Sequence, residues 1–256
     1  APGVRCGFSW MNFDGVLGNK TLRQAILMAI DYDTICNSKT IGGLYTPGFS
    51  VLPSTLSYGY DKLNNPYTYD PEGAKKLLDD AGIVDTDGDG ILDKDGENLS
   101  LRFVTYSYNT EFLQFADIYQ AQLAELGVDL QVETYDVLDS TMEAGDFDIA
   151  GLNYAMAPTG NESYFTNMIF LPGASNNYNG YDNEKVDEIA ETLSTTYDKE
   201  KRVELMKETE PEILHDGAYA FFANQKLICV YNKKVTGFEI NPSEYYLITN
   251  NIDIAE

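Results

Sequence analysis

The stretch that decides the fold is Leu99–Val132, LSLRFVTYSYNTEFLQFADIYQAQLAELGVDLQV. Leu99–Tyr106 reads as a strand. Thr110–Leu126 then sets Phe112, Phe115, Ala116, Tyr119, Leu123 and Leu126 on one face at helical spacing. Gly127 is a natural helix stop, and beyond it Val128, Leu130 and Val132 alternate with polar residues as in a half-buried strand. Strand, helix and strand in this order predict two parallel strands joined by a right-handed crossover.

The reading extends outward on both sides. Downstream, the apolar run Phe147–Tyr154 predicts another strand at a buried sheet position. After the loop at 155–181, residues 183–195 bring Val186, Ile189, Ala190 and Leu193 together. Residues 199–215 do the same for Val203, Met206, Ile213 and Leu214, with Pro211 expected to kink or divide that helix. Ala218–Ala223 and Leu227–Tyr231 read as strands, and the tail from Val235 as extended and aromatic. Upstream, Asp70 and Pro71 are a good N-cap and first helical residue. They open a helix with the stripe Ala74, Leu77, Leu78 and Ala81, stopped by Gly82. Residues 42–69, with Pro47, Pro53 and Pro66, form a long loop, a kind that usually wraps a surface or serves function. Before it, a helix is expected over Lys20–Asp31, capped by Asn19 and burying Leu22, Ala25, Ile26, Ala29 and Ile30. A strand-like run, Val4–Phe13, precedes it. The alternation indicates an α/β fold.

Composition bounds the function. The chain has 256 residues, 43% hydrophobic and 23% charged, which excludes wholesale disorder. No apolar run approaches the roughly 18 residues that span a bilayer. A net charge of -24, from 41 acids against 17 bases, repels nucleic acid and anionic lipid. Cys6, Cys36 and Cys229 lie far apart and read as small buried hydrophobes. A single histidine, His215, precludes a histidine-rich metal site within the chain and reads as a helix-end surface residue. Ala1-Pro2-Gly3-Val4-Arg5 has no leader character, so the chain reads as a mature protein or as a fragment of something longer.

The sharpest local pattern is Asp85-Thr86-Asp87-Gly88-Asp89-Gly90, continuing to Asp93, Asp95 and Glu97. Its first half resembles a calcium loop, with acids at alternate positions and a glycine at the turn. Its second half does not, because Gly96 stands where a bidentate glutamate belongs. The plain reading is an acidic, glycine-rich hairpin. The alternative is a calcium site of Asp85, Asp87, Asp89 and Asp93, the only cofactor the sequence suggests. No nucleophile motif and no phosphate-binding glycine loop occurs. Loop tyrosines are abundant (Tyr58, Tyr60, Tyr67, Tyr69, Tyr164, Tyr178 and Tyr181), and such residues suit either recognition of a small polar ligand or simple packing.

Several segments, taken in order, resemble the C-terminal part of the family 5 extracellular solute-binding proteins of ABC importers for peptides, nickel and related solutes. They are TLRQAILMAID (Thr21–Asp31), YDPEGAKKLLDDAG (Tyr69–Gly82), DTDGDGILDKDG (Asp85–Gly96), ADIYQAQLAELGVDLQV (Ala116–Val132), GDFDIAGLNY (Gly145–Tyr154) and YDNEKVDEIAETLSTTYDKEKRVELMKE (Tyr181–Glu208). The resemblance implies a type II periplasmic-binding-protein-like lobe, a mixed sheet flanked by helices. It also implies that residues 1–256 are the C-terminal lobe of a two-lobed protein, with the tail 235–256 returning toward a first lobe. Partners would be that N-terminal lobe, ABC permease subunits and a peptide or metal-chelate ligand. The location would be extracellular or periplasmic, with any lipid anchor at a cysteine upstream. Peptide-binding members usually carry an aspartate just after the strand matching Phe147–Tyr154. Here the sequence is NYAMAPTGNESYF (Asn153–Phe165), with no acid before Glu162 and Asn161 where nickel-type members often show one, so the chelate reading gains. The loop offers Tyr154, Met156, Thr159, Asn161 and Tyr164 as ligand contacts. Two other classes are weighed beside it: a calcium-dependent surface adhesion module on the acidic loop, and a carboxylate-based hydrolase.

Overall fold

A computed structural model describes residues 1–50, 55–56, 63–161, 163–243 and 245–255. Tyr58, Tyr60, Pro53 and Glu162 lie outside the described residues. The decisive stretch folds as read. β5 (Ser100–Tyr106) leads into α4 (Thr110–Leu126) and then β6 (Asp129–Tyr135), and β5 pairs with β6 in parallel from Ser100↔Asp129 to Tyr106↔Tyr135. All six residues of the expected α4 face are buried. The Asn109 side chain accepts the Phe112 N–H at the helix start, and Gly127 ends it at φ +87°, the left-handed region that glycine enters freely.

The sheet is six-stranded and mixed, in the order β2-β8-β1-β7-β5-β6. β7 (Ile149–Ala155) runs parallel to β5. β1 (Pro2–Met11) lies antiparallel to both β7 and β8 (Tyr219–Lys226), and β2 (Tyr45–Pro47) borders β8. The period of two sorts side chains to opposite faces. Leu101, Phe103, Ala220 and Phe222 join the α4 side. Phe8, Trp10, Val104, Tyr219 and Phe221 join the other. The first face is covered by α1 (Lys20–Met28), α2 (Tyr32–Asn37), α3 (Pro71–Asp80) and α4. The second is covered by α5 (Asp139–Glu143), a short helix α6 (Ser163–Phe165) with a π-helical turn over Thr166–Phe170, α7 (Glu184–Thr195) and α8 (Lys199–Asp216). Each fully buried aromatic contributes about 1.5–3 kcal/mol by leaving water. The contact between α4 and the sheet is close: a Cβ on Gly151 would lie 2.3 Å from Phe112 and 2.5 Å from Phe103.

Four expectations need correction. The first helix ends at Met28, because the Asp31 side chain accepts the Thr34 N–H and caps α2. β7 starts at Ile149 because the Asn12 amide takes the Phe147 carbonyl at 3.0 Å. α8 runs continuously through Pro211, so of the two alternatives, a kink or a division, division is excluded. Leu227–Tyr231 forms no strand. Apart from Leu227, which exchanges backbone hydrogen bonds with Ala1, no neighbouring strand accompanies it among the described residues, and Val230 is 96% exposed. The tail closes on itself through β9 (Val235–Thr236) and β10 (Asp253–Ile254), leaving Tyr245, Tyr246 and Ile248 exposed. Among the described residues, no helix is long and apolar enough to cross a membrane.

Candidate functional site

β5, β7 and β8 point the same way, so their carboxyl ends and the amino half of the antiparallel β1 share one sheet edge. In open α/β sheets this is where ligands bind. A cavity of about 320 Å³ lies there, lined by Trp10, Tyr106, Asn153, Tyr154, Tyr164 and Tyr178 among others. It continues into a groove of about 360 Å³ that shares Arg5, Tyr106, Leu152 and Asn153 and adds Tyr108, Asn109, Glu111 and Gln225.

The floor is fixed from below. Tyr154 packs edge-on to Phe8 and Phe165, and its hydroxyl accepts the Asn176 amide at 2.8 Å. The Trp10 indole N–H donates to the Asn176 carbonyl at 3.0 Å, and the Trp10 ring meets Tyr178 edge-on at 5.5 Å. Tyr106 donates to Asp139 at 3.0 Å. Burial pushes the Tyr154 hydroxyl up to about 12, with Tyr164 and Tyr178 adding to it. Burial and then Asp139 do the same for Tyr106, to about 12. These phenols stay protonated at neutral pH, giving flat apolar faces with polar tips.

The residues expected from sequence fall in three places. Tyr154 and Tyr164 line the cavity. Met156 is fully buried in the core on the α7–α8 side, so it packs rather than lines. Thr159, within the Pro158–Gly160 turn, and Asn161, just past it, line a separate depression with Tyr197 and Arg202. There the Asn161 oxygen accepts the Ser163 N–H and hydroxyl. Of the loop tyrosines, Tyr178 also lines the cavity. Tyr67 and Tyr181 instead tie down the end of α8, donating to the His215 carbonyl at 2.6 Å and to Asp216 at 2.9 Å. His215 is exposed in the last turn of α8 beside Lys20. Arg5, Trp10, Tyr106 and Asp139 escaped the sequence reading. The position of Tyr106 at the carboxyl end of a parallel strand was the usable signal.

The acidic segment forms the hairpin, β3 (Asp93–Lys94) to β4 (Glu97–Asn98), turning at Asp95 and Gly96 with φ +57° and +87°. Asp85, Asp87 and Asp89 are exposed and bring one oxygen each within 4.8 Å of one another. Their oxygens also accept loop amides, Asp85 from Gly88 at 2.7 Å and Gly90 at 2.9 Å, which holds that carboxyl below the usual range. Three carboxylate oxygens supply part of the six to eight oxygens calcium takes. Asp93 stands apart. It is 8% exposed and accepts the Thr86 N–H at 2.7 Å together with the Thr86 hydroxyl. Asp93→Ala is therefore expected to cost about 1–2 kcal/mol in urea unfolding, equally in calcium and in chelator. A loss seen only in calcium would make Asp93 a ligand instead of a hairpin anchor.

The proteins this chain resembles carry the names of solute-binding and transport proteins. The glutathione-binding protein GsiB of Pectobacterium atrosepticum is 28% identical over 89% of this chain and 43% of its own length. The dipeptide-binding protein of Escherichia coli is 27% identical over 94% of this chain and 44% of its own. Among solved structures, the oligopeptide-binding protein AppA of Bacillus subtilis in complex with a nonapeptide superposes with TM-score 0.83 at 21% identity, over 100% of this chain and 52% of that one. A nickel ABC transporter protein of Bacillus halodurans gives TM-score 0.84 at 21% identity, over 99% and 53%. The chain spans less than half the length of the curated relatives it matches. The sequence profile of the bacterial extracellular solute-binding proteins, family 5 (middle), matches residues 1–177. With the mixed sheet and its edge cavity in place, the chain belongs to family 5 of the bacterial extracellular solute-binding proteins.

Proposed function

We propose that this chain is the carboxyl-terminal lobe of a non-enzymatic receptor that captures a peptide or a metal chelate between two lobes and delivers it to an ABC permease at the outer face of the membrane, held there by a lipid anchor upstream or free in the periplasm. The observation that carries the reading is the cavity itself. It sits at the carboxyl edge of the sheet, is open on one side, and presents phenols and amides. Such a surface recognises shape and hydrogen-bonding groups. The second half of the contacts would come from a first lobe closing by hinge motion. The share of the relatives' length that the chain covers supports this division, as do the exposed Tyr245, Tyr246 and Ile248 of the tail, which would return toward that lobe. The relatives named above are binding or transport proteins, which favours the receptor over an adhesion module or a hydrolase.

Calorimetric titration tests it. The full-length protein, given Ala-Phe-Ala, glutathione and nickel–histidine in turn, is expected to bind one of them with micromolar or tighter affinity. Residues 1–256 alone are expected to bind the same compound at least about ten-fold more weakly, because half the contacts are absent. Equal affinity in the two proteins sinks the two-lobe account. Silence from the full-length protein across the three compounds sinks the receptor.

A further inference from the structure

Asn176, in the loop between the π-helical turn and α7, is held on every polar atom it has. Its backbone N–H donates to the Met168 carbonyl at 2.9 Å and its carbonyl accepts the Trp10 indole N–H at 3.0 Å. Its side-chain oxygen accepts the Ser175 hydroxyl at 2.9 Å, which turns the side-chain nitrogen toward the cavity floor, where it donates to the Tyr154 hydroxyl at 2.8 Å. An amide nitrogen offers protons and no acceptor, whereas a phenol oxygen accepts and also donates one proton. Tyr154 therefore gives its lone pair to Asn176 and directs its own proton elsewhere. The hydroxyl it meets is that of Tyr164, which also lines the cavity. Once the Tyr164 oxygen accepts, its proton is left for the opening. Trp10 and Tyr106 are the opposite case, because their protons go to Asn176 and Asp139. The chain from Asn176 through Tyr154 to Tyr164 thus has one direction, and each donor in it strengthens the next.

We propose that Tyr164, backed by Tyr154, presents a hydrogen-bond donor to an acceptor oxygen of the ligand, a carbonyl or a carboxylate, and that Asn176 is the positioning residue that sets this polarity. The proposal rests on the receptor reading above and deepens it. A ligand that brings an N–H or O–H donor to this point meets a second donor and is rejected.

The test is calorimetry on the full-length protein with Ala-Phe-Ala, its carboxyl-terminal amide, glutathione and nickel–histidine. Tyr164→Phe removes the hydroxyl and keeps the ring, and is expected to weaken the bound probe about five-fold. Asn176→Asp is isosteric at a half-buried position, but a carboxylate only accepts. Tyr154 then donates to Asp, Tyr164 donates to Tyr154, and the opening faces a lone pair. N176D should therefore lose affinity by at least about the same factor in the parent, and by much less in the Y164F or Tyr154→Phe background, where any direct effect of the new charge remains. Difluorotyrosine at position 164, a more acidic phenol, is expected to raise affinity about two-fold at about pH 6, where it is still protonated. A Y164F loss that disappears with the peptide amide assigns the acceptor to the terminal carboxylate, and one that persists assigns it to a peptide carbonyl; both support the donor. Parent-like affinity in N176D, simple additivity of N176D and Y164F, or weaker binding with difluorotyrosine overturns it, and the receptor reading then stands. No binding of any probe by the parent removes both.

Discussion

Replacing Arg23 by methionine is expected to destabilise the fold by about 3–5 kcal/mol in urea unfolding near neutral pH. Arg23 is 4% exposed on α1. Its guanidinium donates to four carbonyls: Leu17 at 2.7 Å, Gly18 at 3.1 Å, Asp216 at 3.0 Å and Gly217 at 3.1 Å. It also lies over the Phe13 ring, 4.1 Å from its centre. Two of those carbonyls, at Asp216 and Gly217, belong to the end of α8, where helix carbonyls have no partner within the helix. Methionine matches the apolar stem and leaves all four acceptors without this donor, those of Leu17 and Gly217 buried and those of Gly18 and Asp216 part-buried. Lysine keeps the charge but not the fork, so Arg23→Lys should recover only part of the loss. The clamp sits at the amino end of β8, the sheet edge opposite the cavity. Ligand affinity at temperatures where the variant is folded should therefore not change. A loss of stability under about 1 kcal/mol for R23M would show that water replaces the guanidinium at these carbonyls.

Arg23 also shows why only part of the molecule was legible. On the sequence it is a charged residue within an amphipathic helix, and such residues are usually solvated. Its burial depends on the end of α8 reaching it from far along the chain. The α4 crossover needed no such information. Its six apolar residues, its Asn cap and its Gly stop are local signals, and they agree with the sheet that forms around them. The site divides in the same way. Tyr154 and Tyr164 were readable because one stands at the carboxyl end of a buried strand and the other in the loop after it, and ligands gather beyond the ends of such strands. Trp10 and Arg5 were not, because the antiparallel placement of β1 against β7 is a tertiary fact. Asp139 could not be singled out by chemistry in a chain with 41 acids. Thr159 and Asn161 followed Tyr154 closely in sequence, yet the turn after Pro158 carries them to another surface. Leu227–Tyr231 has the continuous apolar run of a strand, but no neighbouring strand accompanies it among the described residues, and an apolar run alone does not bury a side chain.

Glu210 should make stability fall as pH rises, by about 3–5 kcal/mol between pH 5 and pH 9. It is 2% exposed within α8, and the Ser50 hydroxyl donates to its Oε2 at 2.6 Å. Its Oε1 has no hydrogen-bond partner among the described residues. Burial raises this carboxyl from 4.5 to about 8, the Ser50 hydrogen bond opposing the rise only in part. Cys6, whose thiol burial keeps neutral, is the other titratable group facing it. The folded protein thus holds a proton that the unfolded chain releases near pH 4.5. Stability from this group is complete below that value, is lost progressively up to about pH 8, and is flat above it. Glu210→Gln cannot ionise, so the difference in unfolding free energy between it and the parent should grow in the variant's favour by that amount from pH 5 to pH 9. The missing donor and acceptor balance in Gln adds a constant offset that leaves this slope untouched. Ser50 follows β2, and Cys6 pairs with Tyr154 across β1 and β7. Ionisation of Glu210 therefore strains the layer directly behind the tyrosine floor of the cavity, and hydrogen exchange at Ser50 and Cys6 should rise between pH 7 and pH 9 once corrected for its intrinsic pH dependence. Parallel pH curves for the parent and E210Q would mean that water reaches the carboxylate and keeps its affinity for protons ordinary.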